Sequence, residues 1–141
     1  MTNKPSARIL DFVDALPLRP GMRVLEIGCG TGVAVREVAR RVAGCFVLGI
    51  DRSERAVSLA QRGGQAEIDA GLLEFRTMSA EALQLGAGEE GFDLAFAMRV
   101  GAFDGRHPDA GVTAMERLRQ VMKPNGKFFI DTGDPAREIP L

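Results

Sequence analysis

Two short stretches hold the residues with the most to offer chemically. Glu26-Ile27-Gly28-Cys29-Gly30-Thr31-Gly32 follows the apolar run that starts at Val24 and leads into a segment with Val35, Val38, Ala39 and Val42 on one helical face. Glycines there lack a β-carbon, so the backbone can turn sharply and a bulky ligand can lie directly on the amides that open the helix. Asp51 closes the next apolar run, 23 residues after Gly28, close to the spacing of about 20 at which an acidic side chain meets a bound ribose. A carboxylate at that place can accept hydrogen bonds from both ribose hydroxyls, charge-assisted contacts that select an adenosine-like ligand. Taken singly, the glycines are a tight turn and Asp51 is a neighbour of the Ser53 helix cap. Placed together at the ends of adjacent strands, they describe a ligand site. A dinucleotide fingerprint would put its third glycine at position 33, which is Val33; the glycines alternate instead at Gly28, Gly30 and Gly32, which disfavours NAD.

A second group lies after the fourth apolar run. His107, the one histidine, sits in Asp104-Gly105-Arg106-His107-Pro108-Asp109, and its charge can switch near neutral pH, which suits proton removal. Arg99 and Arg106 can anchor a carboxylate or phosphate. Arg106 is equally suited to pair with Asp104 or Asp109, and His107 to a turn before a helix. Cys29 and Cys45 have neither CxxC nor Cys/His ligand spacing and read as buried thiols, with no metal site implied.

The elements that position these groups alternate. Ile9, Phe12, Val13 and Leu16 recur at helical spacing after Pro5-Ser6 and stop at Pro17 and Pro20-Gly21. Strand, turn and helix then follow through Val24–Val42. The unit repeats with Phe46 to Ile50 and a helix capped by Ser53 that buries Ala56, Val57, Leu59 and Ala60. Gly63-Gly64 breaks that helix. Leu72 to Arg76 gives a third strand, Ala80 to Leu83 a short helix and Phe92 to Met98 a fourth strand. Val112, Met115, Leu118 and Met122 mark a long helix ended by Pro124-Asn125-Gly126, and Lys127 to Asp131 a fifth strand. Alternation of this kind means an α/β fold: an open, mostly parallel, Rossmann-like sheet of about five strands in the order 3-2-1-4-5, with helices on both faces and ligands at the carboxyl ends of the strands.

Composition bounds the remaining possibilities. The length of 141 residues suits a single domain spanning residues 1–141, and 45% hydrophobic with 26% charged residues is the mix of an ordinary folded chain. The 18 basic and 19 acidic residues nearly cancel, so no field gathers nucleic acid or a membrane surface. With no continuous apolar stretch long enough to be a leader or a span, the expected location is the cytoplasm.

Val24 to Gly32, Val-Leu-Glu-Ile-Gly-Cys-Gly-Thr-Gly, resembles the first motif of the class I S-adenosylmethionine-dependent methyltransferases. The similarity continues through Gly49-Ile50-Asp51-Arg52-Ser53, Ala80-Glu81-Ala82-Leu83, Phe92-Asp93-Leu94 and Leu118 to Lys127, covering nearly the whole chain. The resemblance implies Asp51 on the ribose and Gly28, Gly30 and Gly32 beside the methionine moiety, with Glu26 orienting its amino group. It lays Arg52 along the adenine, sets Ser79 and Ala80 at the adenine edge, and places Met98 and Arg99 between cofactor and acceptor. Many relatives have aspartate where this chain has Ser79, and relatives that methylate DNA bases often carry Asn/Asp-Pro-Pro-aromatic where this chain has Met98-Arg99-Val100-Gly101. The implied activity is methyl transfer to a small-molecule acceptor, with S-adenosylhomocysteine as product; the alternative is a non-catalytic S-adenosylmethionine-binding partner subunit or sensor. An NAD-dependent oxidoreductase is disfavoured further by the absence of any tyrosine.

The family fold usually continues past strand five into further antiparallel strands, whereas here about ten residues follow Asp131. Strand five would then be an apolar edge, which proteins normally protect. Either the C-terminal tail or a second subunit, in a homodimer or with a partner, is expected to cover it.

Overall fold

The computed structural model describes residues 4–133 and 135–141. Helix α1 (Ala7–Asp14) starts where the Ser6 side chain accepts the Ile9 amide at 3.2 Å. Strand β1 (Arg23–Ile27) passes through the glycine turn into α2 (Val33–Arg41), and β2 (Phe46–Asp51) passes through Ser53, which accepts the Ala56 amide at 3.1 Å, into α3 (Glu54–Gly63). A one-turn helix α4 (Gln65–Asp69) precedes β3 (Leu73–Thr77), a 3-10 turn (Ala80–Ala82) and β4 (Phe92–Ala97). Helix α5 (Pro108–Val121), β5 (Met122–Ile130) and β6 (Arg137–Ile139) complete the order.

The strands form one sheet in the order β3-β2-β1-β4-β5-β6. The first five are parallel, so the expected 3-2-1-4-5 order holds, with one strand more than expected. That sixth strand is the tail: it runs antiparallel to β5, with Phe128 opposite Ile139 and Ile130 opposite Arg137. Along Phe128–Ile130, the apolar end of β5, the edge that would have faced solvent is thereby paired within the chain.

Alternation along the strands divides the core into two layers. Val24, Val47, Leu94, Phe96 and Phe129 meet α1, α2 and α3 through Phe12, Val35, Val38, Val57 and Ala60. Leu25, Leu48, Ile50, Ala95, Phe128 and Ile130 meet the 3-10 turn and α5 through Leu83, Ala114, Leu118 and Val121. Helices on both faces leave the carboxyl ends of the parallel strands as the open rim. Among the described residues no helix is long and apolar enough to cross a membrane.

Several local expectations shift. In α3 the buried face is Val57 and Ala60, while Leu59 is 43% exposed. In α5 it is Ala114, Leu118 and Val121; Val112 is 63% exposed, and the helix begins earlier, at Pro108, whose fixed φ suits the first turn. Met122 already pairs with Phe92, and the ladder resumes at Lys127 opposite Leu94, so Pro124-Asn125-Gly126 loops out between two paired segments.

Candidate functional site

The glycine turn is built by bonds to β2. The Ile50 carbonyl accepts the amides of Gly28 at 2.8 Å and Cys29 at 2.9 Å, and Gly32 N–H closes back on the Cys29 carbonyl at 2.9 Å. Asp51 locks the next step: its Oδ2 accepts the Gly30 amide and its Oδ1 the Ser53 amide, both at 2.9 Å. Each oxygen of an ionised carboxylate has a second acceptor direction, so Asp51 stays able to take two further donors. Gly30 and Gly32 both have left-handed backbones, at φ of 55° and 82°, but for different reasons. A β-carbon on Gly32 would lie 2.5 Å from Phe75 Cζ, a packing requirement, whereas one on Gly30 would meet nothing within 4 Å. The space over Gly30 is open cavity.

Glu26 lies one strand position before this turn, 3% exposed, and its Oε1 has no hydrogen-bond partner among the described residues. Burial, with the negative charge of Asp51 added, pushes its carboxyl well above the ordinary 4.5. An orphaned, costly carboxylate oxygen at a cavity wall is a place where a cationic donor would be bound. That cavity, about 350 Å³, is walled by Glu26, Gly28, Gly30, Met98 and, from α1, Arg8 and Ile9. Burial also raises the Cys29 thiol, with Glu26 and Asp51 adding to the effect, and raises Cys45 to about 11, so both remain thiols at neutral pH.

A larger cavity of about 570 Å³ joins the first at Gly28, Met98 and Arg99. Asp51, Arg52, Ser79 and Ala80 form one side of it, and Arg106 and His107 the other. Arg52 is exposed; Ser79 Oγ accepts the Ala82 amide at 3.2 Å and is therefore engaged in capping the 3-10 turn. Ala80 supplies the first amide of that turn, which has no partner inside it. Arg99 is exposed and has φ 57°, a left-handed conformation that costs a residue with a β-carbon about 1–2 kcal/mol. Arg106 pairs with Asp104 at 2.9 Å and donates Nη2 to the Arg99 carbonyl, also at 2.9 Å. His107 precedes Pro108 at the start of α5; its own amide bonds to the Gly101 carbonyl at 3.0 Å and its exposed ring packs against Gly101, where a β-carbon would fall 2.3 Å from Cδ2.

The candidate cofactor and catalytic residues Glu26, Gly28, Gly30, Asp51, Arg52, Ser79, Ala80, Met98, Arg99 and His107 thus line one of two joined cavities at the carboxyl ends of β1 to β4, while Gly32 lies in the core beneath the turn. The leading helix around Phe12 is a candidate to close over the cofactor on resemblance, but the residues at its start that wall the smaller cavity, Ser6, Arg8 and Ile9, were not assigned to the site from sequence, nor was Asp131 at the end of β5, which accepts the Arg99 amide at 3.1 Å. A carboxylate directly after a strand at the sheet's open rim was the available signal. No group of three or more His, Cys, Asp or Glu is arranged to hold a metal among the described residues.

A family model described as a methyltransferase domain matches residues 18–140. The chain belongs to the class I S-adenosylmethionine-dependent methyltransferases. Among curated methyltransferases, the ubiquinone biosynthesis O-methyltransferase of Hahella chejuensis is 32% identical over 87% of this chain and 48% of its own length. The protein-L-isoaspartate O-methyltransferase of Methylorubrum extorquens is 37% identical over 92% of this chain and 50% of its own. Of solved structures, a methyltransferase from Thiobacillus denitrificans in complex with S-adenosyl-L-homocysteine is similar at TM-score 0.67 and 25% identity, over 92% of this chain and 49% of that one. The chain spans about half the length of the curated methyltransferases it matches.

Proposed function

We propose that this domain binds S-adenosylmethionine across the two cavities and transfers its methyl group to the oxygen of a small-molecule acceptor. The observation that carries the reading is the Glu26–glycine turn–Asp51 cradle: an unpartnered buried carboxylate oxygen at one end, open space over Gly30 in the middle, and a backbone-anchored carboxylate at the other. That donor set matches a ligand with an ammonium group, a compact centre and a ribose diol. Glu26 holds the amino group and Asp51 the ribose hydroxyls. Arg52 lies along the adenine, with Ser79 and Ala80 at its edge: the Ala80 amide has no partner inside its turn, and Ser79 keeps its O–H donor while its Oγ accepts the Ala82 amide.

When bound, S-adenosylmethionine supplies a methyl group on a sulfonium, open to in-line displacement. Catalysis then rests largely on holding acceptor and methyl in line and free of water. Met98 packs at the junction of the cavities, Arg99 anchors a carboxylate or phosphate of the acceptor, and His107 takes the proton that an acceptor hydroxyl gives up as the new bond forms. Arg106 is the poorer anchor, being paired with Asp104. Support for an oxygen acceptor comes from the relatives named above as O-methyltransferases.

The test is formation of S-adenosylhomocysteine from S-adenosylmethionine against a panel of phenols, aliphatic alcohols and carboxylic acids. Acceptor-dependent turnover is expected. Tight cofactor binding with no turnover across the panel and in oxygen-rich extracts of small molecules would replace catalysis by a binding role.

A further inference from the structure

Asp131, at the end of β5, takes no part in the chemistry described above, yet two parts of the site hang from it. Its side chain is 7% exposed. Oδ1 accepts the Arg99 amide at 3.1 Å, and Oδ2 pairs with the guanidinium of Arg8, 123 residues earlier in the chain. The two peptide groups that flank the Arg99 Cα are therefore both held, the N–H on one side by Asp131 and the carbonyl on the other by Arg106 at 2.9 Å. Such a grip is what a non-glycine residue at φ 57° requires, because nothing local favours that backbone.

Arg8 belongs to α1, the helix that walls the smaller cavity opposite Glu26 and the glycine turn. The other end of α1 is tied to α2, where Arg41 pairs with both Asp14 and Glu37. The Arg8 side chain is 46% exposed, so its pair with Asp131 is weak in isolation and easily opened. One carboxylate thus joins a reversible tie on the helix beside the cofactor cavity to the backbone of a residue, Arg99, that lines both cavities.

We propose that Asp131 is a positioning residue that couples the two halves of the site: seating α1 through Arg8 fixes the carboxylate that sets Arg99 at the acceptor cavity. Coupling of this kind is reciprocal, so an occupied acceptor side also favours the seated helix. The ligand half of the inference rests on the cofactor reading given above; the conformational half does not.

Two measurements test it. In ligand-free protein, amide hydrogen exchange at residues 98–103 should rise several-fold in Arg8→Ala, although the substitution lies on another element, and return toward wild type in Arg8→Lys. Calorimetry with S-adenosylhomocysteine should show affinity falling about two- to fivefold in Arg8→Ala and about tenfold in Asp131→Ala. The double variant should be no weaker than Asp131→Ala, because Arg8 then has no partner to lose. Unchanged exchange at residues 98–103 in Arg8→Ala, or additive affinity losses in the double variant, would overturn the coupling. Failure of the wild type to bind S-adenosylhomocysteine would overturn the cofactor reading and the ligand half with it, while the exchange arm still decides the conformational half. Should Asp131→Ala not fold, Arg8→Ala and its rescue by lysine carry both measurements.

Discussion

Replacing Asp51 by alanine separates the cofactor role from the structural one, because the two use different acceptor directions of the same oxygens. The Gly30 and Ser53 amides, each at 2.9 Å, occupy one direction on Oδ2 and Oδ1 respectively. The remaining directions are those assigned to ribose hydroxyls. Losing hydrogen bonds to a charged acceptor costs about 1.5–3 kcal/mol, which corresponds to a roughly 10- to 150-fold rise in the dissociation constant of S-adenosylhomocysteine. Both backbone bonds stand at a partly exposed position, so their loss should cost about 1 kcal/mol of stability and a few degrees of melting temperature. Asp51→Asn should fall closer to alanine than to wild type, since the amide nitrogen would point a donor at one of two backbone donors. Calorimetric titration, with thermal melts of each variant alongside, reads both effects. A folded Asp51→Ala protein that binds S-adenosylhomocysteine with wild-type affinity would refute the reasoning.

Glycine replacements should divide cleanly. Gly30→Ala should cost about 1–2 kcal/mol for its backbone while nearly abolishing cofactor binding, because the new methyl group enters the open space; Gly32→Ala, 2.5 Å from Phe75 Cζ, should lose more stability than Gly30→Ala, as chemical denaturation of both will show. Glu26→Gln should trade binding for stability. The Glu26 carboxyl is raised by burial first and Asp51 second, so ionising it opposes folding: wild-type stability falls as pH rises from about the ordinary 4.5 toward the raised value. The variant should therefore match wild type in melts at pH 4 and exceed it by a few degrees at pH 8, while binding S-adenosylhomocysteine more weakly; equal melting at both pH values would contradict the assignment. His107→Gln should lower kcat about 10²- to 10⁴-fold if the imidazole removes the acceptor's proton, with cofactor affinity unchanged; a loss below tenfold in steady-state assays would reduce it to a lining residue.

The sheet order and the cradle were legible because each rests on local rules. Apolar runs ending in glycine or aspartate announce parallel strands, and the pair Gly28 and Asp51 has meaning only when β1 and β2 are adjacent. What periodicity could not settle was which stripe of a helix is buried: Val112 and Met115 are as apolar as Ala114 and Val121, and the choice in α5 falls to the geometry of its docking on β4 and β5. Helix α4 was missed because Gly63-Gly64 reads as the end of structure, whereas the chain restarts a single turn directly after it. The edge of β5 illustrates the opposite case. Its need for cover was evident from Phe128 and Phe129, but whether the tail or another subunit supplies it depends on Arg137–Ile139, a stretch too short to carry a pattern. Asp131 escaped notice for a similar reason: its partners, Arg8 and Arg99, lie far away in sequence and meet only once the sheet is assembled.

The most direct measurement is calorimetric titration of the protein with S-adenosylmethionine, S-adenosylhomocysteine and NAD in parallel; with no Trp and no Tyr in the chain, intrinsic fluorescence offers little. Saturable binding of the first two at one site, with NAD silent, is the expected result. Binding of NAD, or of none of the three by folded protein, would contradict the assignment of the Glu26–Asp51 cradle to an adenosyl sulfonium cofactor.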